Sequence, residues 1–171
     1  MDTKKADFIG IMSDSHDNRD AMKKAVSLFN RLSCGLVIHA GDFVAPFSAG
    51  ELKKLNCPVK AVFGNCDGEK EGLKSTLAGW GEIQTEPFCF EWKGLNFLLT
   101  HTDSRLHDFL NSGNYDVIIF GHTHKPEIRK EGHCLVVNPG EAGGWLAGKK
   151  TVALLDAENR RAEIIPLDNT A

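Results

Sequence analysis

Four short polar segments of this chain contain residues that could bind metal ions, and each follows an apolar run. The segments are Asp14-Ser15-His16, Gly41-Asp42, Gly64-Asn65-Cys66-Asp67 and Gly121-His122-Thr123-His124. If the apolar runs are strands of one sheet, their carboxyl ends bring these side chains to the same edge. Carboxylate, amide and imidazole groups gathered at one place predict a two-metal site that cleaves phosphoesters.

Residue types and spacing indicate how such a site could bind its ions. Asp14 and His16 are one residue apart, so on an extended strand end both would point the same way. His122 and His124 have the same spacing. Asp42 could bridge two cations about 3.5–4 Å apart. The predicted metal ligands are Asp14, His16, Asp42, Asn65, His101, His122 and His124.

This ligand set has a definite chemical preference. Mixed nitrogen and oxygen ligands suit manganese, iron, zinc, nickel or cobalt better than calcium or magnesium, and of these we expect manganese. Asp14 and Asp42 are the two anionic ligands, so two divalent cations keep surplus positive charge for a phosphate group. The same ions would lower the pKa of a bridging water towards about 7, which supplies hydroxide at neutral pH.

A protein nucleophile is then unnecessary, and the sequence has neither a G-x-S-x-G elbow nor a P-loop. The candidate catalytic residues are Asp42, Asn65, Cys66 and Asp67. His39 ends an apolar run and is expected to be a hydrogen-bonded core histidine. His107 and His133, which fall in a helix and a turn, are left out of the site, as is His39. The three tryptophans, Trp80, Trp92 and Trp145, should pack rather than stack on a ligand.

The first half of the chain alternates between strand and helix patterns. Strands are predicted at 8–12, 36–38 and 59–63, and another at 117–120 precedes the last motif. Helices are predicted from Asn18 to Leu32, capped by Asp17 or Asn18, and from Pro46 to about Asn56. This succession predicts a parallel sheet whose ligands gather beyond the carboxyl ends of the strands.

The second half has a different pattern. Residues 69–80 are weakly helical, and a helix fits 104–111. Short strands are predicted at 88–92, 95–100, 115–120, 127–129, 134–137, 151–155 and 163–166. They predict a second, largely antiparallel sheet that packs face to face with the first, with helices outside.

Length and composition set further bounds. With 171 residues the chain is long enough for one well-buried domain, 1–171, and too short for two ordinary ones. A net charge of −3 argues against binding to long nucleic acid or anionic membranes through a basic surface. The polar start, Met1 to Asp7, predicts a cytoplasmic protein without a signal peptide. Five cysteines without a C-x-x-C pair argue against disulfides.

The ordered series of motifs resembles the calcineurin-like metallophosphoesterase superfamily, and spacing and size are most similar to its compact prokaryotic phosphodiesterase branch. The resemblance extends from Asp14 to Gly140 and implies an α/β fold, an αββα sandwich of two mixed β-sheets flanked by helices. It implies that the two metals share Asp42. The other ligands would be Asp14, His16 and His124 at one metal, and Asn65, His101 and His122 at the other.

Three positions depart from the family pattern. Many members have a histidine, thought to protonate the leaving group, where this chain has Cys66. Thr102 replaces a glycine that usually follows the histidine at position 101. Glu141 replaces the serine of an N-P-G-S stretch, which changes one polar contact near the site.

The main hypothesis is a manganese-dependent phosphodiesterase that hydrolyses small or activated diesters through a bridging hydroxide at a dinuclear metal centre. One alternative is a phosphomonoesterase or nucleotidase with the same site. Another is a protein-binding scaffold, similar to a retromer subunit, whose metal site is silent. Seven converging ligands favour an active site, because a scaffold has no physical need for them. The sequence leaves homo-oligomerisation open.

Overall fold

Strands dominate residues 7–169, the part of the chain that the computed structural model describes. The strands are β1 Phe8–Met12, β2 Leu36–His39, β3 Val59–Val62, β4 Gly81–Gln84, β5 Phe88–Trp92, β6 Leu95–Leu99, β7 Val117–Ile119, β8 Glu127–Glu131, β9 Cys134–Asn138, β10 Thr151–Asp156 and β11 Arg161–Pro166. The helices are α1 Arg19–Arg31, α2 Pro46–Ala49, α3 Lys70–Leu77 and α4 Leu106–Ser112, with 3₁₀ turns at Gly50–Lys54 and Leu167–Asn169.

The strands form two mixed sheets. The six-stranded sheet has the order β11-β10-β1-β2-β3-β4, in which β1 to β4 are parallel and β10 and β11 are antiparallel additions. The five-stranded sheet has the order β5-β6-β7-β9-β8, with parallel β6, β7 and β9 in the centre and antiparallel edges. The predicted fold class, an αββα sandwich of two mixed sheets, is confirmed.

Side-chain alternation along the strands builds the layers. Ile9 and Ile11 of β1 face the second sheet and belong to one buried cluster with Phe97 and Val117. The opposite face of β1 lies under α1, where a Cβ at Gly10 would come within 2.6 Å of the Phe29 ring. Glycine at this position therefore lets the helix approach the sheet closely.

Helix α1 follows the predicted pattern. The Asn18 side chain accepts a hydrogen bond from the Ala21 backbone N–H and caps the helix. Its apolar face is buried against the first sheet, while α4 covers the outer face of the second through Leu106. These contacts hold the strands whose carboxyl ends carry the polar motifs.

Several predicted elements differ from the structure. The helix expected from Pro46 to about Asn56 is split into α2 and the 3₁₀ turn at Gly50–Lys54, because glycine is a poor helix former. The strand β4 was not predicted, since it is an edge strand in which only Ile83 is buried. The second sheet is not largely antiparallel, because two of its four pairings are parallel.

The last two strands were also assigned to the wrong sheet. Strand β10 pairs antiparallel with β1 in the first sheet, and β11 pairs with β10. Periodicity predicts that a segment is a strand but not which neighbour it joins.

Within residues 7–169, no helix combines the length and apolarity that a membrane crossing requires. The predicted polar start of the chain lies, apart from Asp7, outside the described residues.

Candidate metal centre

Strand ends from both sheets meet at one cleft of about 540 Å³. Motifs after β1, β2 and β3 come from the first sheet, and those after β6 and β7 come from the second. The seven predicted ligands all lie at this junction: Asp14, His16, Asp42, Asn65, His101, His122 and His124. The topology thus brings together residues that span more than a hundred positions of the sequence.

The backbone at the ligands is not the extended strand end expected from their spacing. Among residues 7–169, ten residues other than glycine have positive φ, and five of them are predicted ligands. These five are Asp14, His16, Asp42, His122 and His124. Left-handed backbone is unfavourable for such residues, and concentrating it at one cleft is typical of a functional site. The one-residue spacing works here through tight turns rather than through strand alternation.

Asp14, His16 and His124 form what we call the Asp14 half of the site. Asp14 Oδ1 lies 3.7 Å from His16 Nε2 and 3.4 Å from His124 Nε2. Ser13 Oγ donates a hydrogen bond to Asp14 Oδ2, which also accepts from the His122 backbone N–H. One carboxylate oxygen is therefore anchored while the other faces two imidazoles.

Unpartnered buried atoms concentrate in the Asp14 half. In the described part of the chain, four buried side-chain polar atoms have no hydrogen-bond partner: Asp14 Oδ1, His16 Nε2, His124 Nδ1 and Trp92 Nε1. Three of the four belong to this half. Buried polar groups are normally paired, so Asp14 Oδ1 and His16 Nε2, which face each other at 3.7 Å, fit a cation between them. His124 Nδ1 instead faces Glu141.

Asn65, His101 and His122 form what we call the His101 half. Asn65 Oδ1 lies 2.9 Å from His101 Nε2 and 3.0 Å from His122 Nδ1. His101 is 1% exposed, and its backbone N–H donates to the Glu86 carboxylate. The three side chains of this half thus contact one another directly.

Hydrogen bonding orients His101. Its Nδ1 lies 2.7 Å from the Ala40 carbonyl oxygen, which can only accept, so Nδ1 carries a proton and Nε2 faces the cleft. Burial alone would lower the pKa of His101, but the Asp42 carboxylate and the Ala40 carbonyl together raise it to about 9. At neutral pH without a metal, a second proton therefore occupies Nε2, where a cation would otherwise bind.

Asp42 lies between the two halves. Its Oδ2 is 3.5 Å from His16 Nε2 and 3.4 Å from His101 Nε2, while its Oδ1 accepts from the Cys66 backbone N–H at 2.8 Å. Burial opposes the charge of Asp42, but the hydrogen bonds of His101 and Cys66 lower its pKa to about 2. A carboxylate with ligands on both sides has the placement that a bridging ligand needs.

Asp67 was predicted as a catalytic residue, but its side chain does not line the cleft. It is 3% exposed and accepts hydrogen bonds from the backbone N–H groups of Asp42, Val44 and Gly64. Burial raises the pKa of Asp67, against the effect of these donors. Its place in the structure is that of a residue that positions the Asp42 and Asn65 loops.

Cys66 does line the cleft, as its position in the motif suggested. Ligand atoms of Cys66, His16 and Asp42 lie within 4.8 Å of one another. Burial and the Asp42 carboxylate raise the pKa of the Cys66 thiol, so the thiol stays protonated at neutral pH.

Glu141 is the residue that the sequence prediction undervalued. It is 1% exposed, and its Oε2 lies 3.4 Å from His124 Nδ1. Its two oxygens also accept from the backbone N–H groups of Trp145, Leu146 and Ala147. Burial opposes the charge, but these donors lower the pKa of Glu141. The replacement of the expected serine by an acidic residue was the sequence signal that could have indicated a role for Glu141 beside the site.

His39 and Trp145 test the structural predictions. His39 is fully buried, with Ser15 Oγ 2.9 Å from Nε2 and the Gly41 N–H donating to Nδ1, and burial lowers its pKa to about 3. The expectation of a hydrogen-bonded core histidine is confirmed. Trp145 does not pack into the core, because it is 65% exposed.

The donor set fits divalent transition metals. Three groups have ligand atoms close enough to hold an ion: Asp14, His16 and His124; Asp14, Asp42 and His101; and His16, Asp42 and Cys66. Imidazole nitrogen with carboxylate and amide oxygen is the combination that manganese, iron, zinc, nickel and cobalt accept. These groups adjoin one another around Asp14 and Asp42, as candidate metal-binding groups of a metallophosphoesterase would.

Comparison with known proteins agrees with this class. Residues 8–160 match the calcineurin-like phosphoesterase superfamily domain. The chain is 40% identical over 164 residues to the phosphodiesterase MJ0936 of Methanocaldococcus jannaschii, a match that covers 94% of this chain and 99% of that protein. The chain therefore belongs to the calcineurin-like phosphoesterase superfamily, and the predicted resemblance is confirmed.

Solved structures give the same result for the fold. The structure of a novel archaeal phosphodiesterase matches with a TM-score of 0.89 at 39% identity, covering 93% of this chain and 99% of that one. The structure of Vps29 from Chaetomium thermophilum matches with a TM-score of 0.71 at 16% identity, covering 94% and 96%. At that identity the likeness to Vps29 shows the fold alone.

Proposed function

We propose that this protein is a metal-dependent phosphodiesterase that hydrolyses small or activated diesters. The observation that carries the proposal is the position of Asp42 between two groups of nitrogen and oxygen ligands at one open cleft. The phosphodiesterase relative at 40% identity supports the same activity. A cleft of about 540 Å³ has room for a small ester.

Each half of the site would hold one ion. Asp14, His16 and His124 supply ligands on one side, and Asn65, His101 and His122 supply them on the other, with Asp42 shared. When bound, two divalent cations stabilise the charge of the phosphoryl group and lower the pKa of water towards about 7. We expect manganese from the ligand types.

The chain's own groups orient the ligands and the substrate. The Ala40 carbonyl fixes the ring of His101, and the Glu141 carboxylate faces the ring of His124. Lys125 lines the cleft and adds a positive charge for a phosphate oxygen. The Cys66 thiol is protonated and its Sγ lies within 4.8 Å of an Asp42 carboxylate oxygen, and a thiol is a weak hydrogen-bond donor. Esters with good leaving groups, which need no protonation, should therefore react best.

The proposal extends to the setting of the enzyme. Its substrate is expected to be a small phosphoester rather than a long nucleic acid, because the formal net charge is −3. The proposal places the enzyme in the cytoplasm.

Metal removal and replacement test the proposal. Chelation should abolish hydrolysis of bis(p-nitrophenyl) phosphate, and manganese should restore it better than magnesium or calcium. A panel of diesters and monoesters then separates the phosphodiesterase from the phosphomonoesterase alternative, with bound metal measured by elemental analysis. Full activity in metal-free protein would overturn the proposal, and a preference for monoesters would replace it by the alternative.

A further inference from the structure

The segment between β9 and β10 places apolar side chains at the mouth of the metal cleft. Leu146 and Ala147 line the cleft together with His16, His122 and other site residues. Leu146 is 80% exposed and Trp145 is 65% exposed, the two largest values among the exposed large hydrophobic side chains of residues 7–169. They are adjacent in sequence and stand beside the polar centre. We call these two side chains the apolar wall.

The backbone behind the apolar wall is held firmly. Glu141 Oε1 accepts from the Trp145 N–H at 2.7 Å and the Leu146 N–H at 3.0 Å, and Oε2 accepts from the Ala147 N–H at 2.7 Å. The Gly143 N–H donates to the Asp14 carbonyl, which joins the start of the segment to the metal site. Three backbone N–H groups that donate to one buried carboxylate fix the segment. The two side chains of the apolar wall are therefore held in position by their backbone and stay exposed to solvent.

The Trp145 ring is also tied to the site. Its indole Nε1 donates to the His16 carbonyl oxygen at 3.0 Å. The ring therefore lies beside the backbone of His16, which lines the cleft, and 65% of the side chain is exposed. A fixed and exposed aromatic ring beside a phosphate-sized polar site is suited to stacking, since little side-chain entropy remains to be lost on binding.

We propose that the apolar wall recognises a planar aromatic group on the ester, so that the preferred substrates are phosphodiesters with an aryl or nucleobase-bearing substituent rather than an alkyl one. This rests on the proposed function and adds a substrate class to it. The metal centre holds the phosphoryl group, and the wall discriminates between the organic groups attached to it. Leu146 lines the cleft and Trp145 is hydrogen-bonded to the backbone of His16, which also lines it, so the ester itself is favoured over a separate protein as the occupant of the wall.

Non-hydrolysable phosphonates test the proposal without dependence on the leaving group. Binding of phenylphosphonate and methylphosphonate to the manganese-loaded protein is measured by calorimetry. Wild type should bind phenylphosphonate at least about tenfold more tightly, the size expected for one stacking contact. Trp145→Ala and Leu146→Ala should weaken phenylphosphonate binding by about fivefold to tenfold and leave methylphosphonate binding within about twofold.

Two further variants separate stacking from structural damage. Trp145→Phe keeps a ring but removes the indole N–H, so it should keep most of the preference for phenylphosphonate. Phe8→Ala removes an exposed aromatic ring at the start of β1, away from the strand ends that form the site, and should leave both affinities unchanged. Manganese content is measured for every variant, so that loss of metal is not taken for loss of stacking.

Each outcome decides the proposal. Equal affinity of wild type for the two phosphonates, or equal weakening of both in Trp145→Ala, would overturn it and favour a protein partner for the wall. A selective loss of phenylphosphonate binding supports it. Phosphonate binding without turnover of any diester would overturn the proposed activity while leaving recognition by the wall intact.

Discussion

The two halves of the metal centre differ in how their polar atoms are satisfied. In the Asp14 half, Asp14 Oδ1 and His16 Nε2 are buried and have no hydrogen-bond partner among residues 7–169. In the His101 half, Asn65 Oδ1 contacts both neighbouring imidazoles. The proton on His101 Nε2 can be donated to this oxygen. A hydrogen bond with Asp14 raises the pKa of His16 too, so either half can take up a proton in place of a cation. Of the two, however, it is the Asp14 half that has buried atoms without a hydrogen-bond partner. The difference indicates that the halves should respond differently to metal supply and to pH.

Asp42→Asn should have the largest effect, because Asp42 is the carboxylate that both halves share. Losing its charge should lower kcat/KM by at least about 10³-fold, since metal-borne charge stabilisation is worth several kcal/mol and each 1.36 kcal/mol is about tenfold in rate. Bound manganese should fall below two ions per chain. The checks are steady-state kinetics and elemental analysis, with His107→Asn as a control on exposed helix α4. If Asp42→Asn kept two bound ions and wild-type turnover, Asp42 would not be the ligand that the two halves share.

Glu141→Gln should weaken the Asp14 half selectively. The amide cannot attract His124 as the carboxylate does, and it cannot accept the same set of backbone hydrogen bonds. Metal affinity should fall by about 10- to 100-fold, the usual cost of losing an outer-shell partner. Manganese titration followed by electron paramagnetic resonance would show whether the weakened site is one of two. Equal weakening of both ions would mean that the halves are not independent.

The His101 half should release a proton when it binds metal. The folded-state pKa of about 9 lies above the ordinary value of 6.5, so metal-free His101 is charged at neutral pH. Apparent metal affinity should rise with pH up to about 9, by at most about tenfold per unit for one proton. Because the pKa of His101 is higher in the folded than in the unfolded protein, the metal-free protein should lose stability as pH rises from about 6.5 to about 9. Calorimetry in buffers of different ionisation enthalpy measures the proton directly, and its absence would contradict the assignment.

Cys66→Ser should have the smallest effect on activated diesters, within about twofold, because such leaving groups need no proton. Cys66→His should improve poor leaving groups by up to roughly 10²–10⁴-fold, the contribution of general acid catalysis. The measurement is the dependence of kcat/KM on leaving-group pKa in wild type and both variants. A shallow dependence in wild type that steepens sharply in Cys66→Ser would show that the thiol is an effective acid.

Much of the fold, and the meeting of the predicted ligands at one cleft, was predictable because local patterns determine the strands and the motifs that follow them. Strands β1, β2 and β3 are short apolar runs followed by polar motifs, and α1 has a clear apolar face with Asn18 at its start. The edge strand β4 lacks such a pattern. The placement of β10 beside β1 was not predictable either, since it depends on pairing across most of the chain.

Within the site, residue types predicted which side chains meet at the cleft but not which residues hold them in place. The left-handed backbone of His16 could not be predicted from residue spacing, because the spacing rule assumes an extended strand. Asp67 and Glu141 act through backbone N–H groups that the sequence does not display. Exposure of Trp145 could not be foreseen, because tryptophan usually packs into a core.

The position of β10 in the first sheet has a consequence for the order of events during synthesis. All seven predicted ligands have been translated by residue 124, yet β1 gains its antiparallel partner only when Thr151–Asp156 leaves the ribosome. The Asp14 turn likewise waits for hydrogen bonds from Ala142 and Gly143. A nascent chain would therefore carry every ligand without the framework that orders them, and the metal centre should assemble only after β10 has been synthesised.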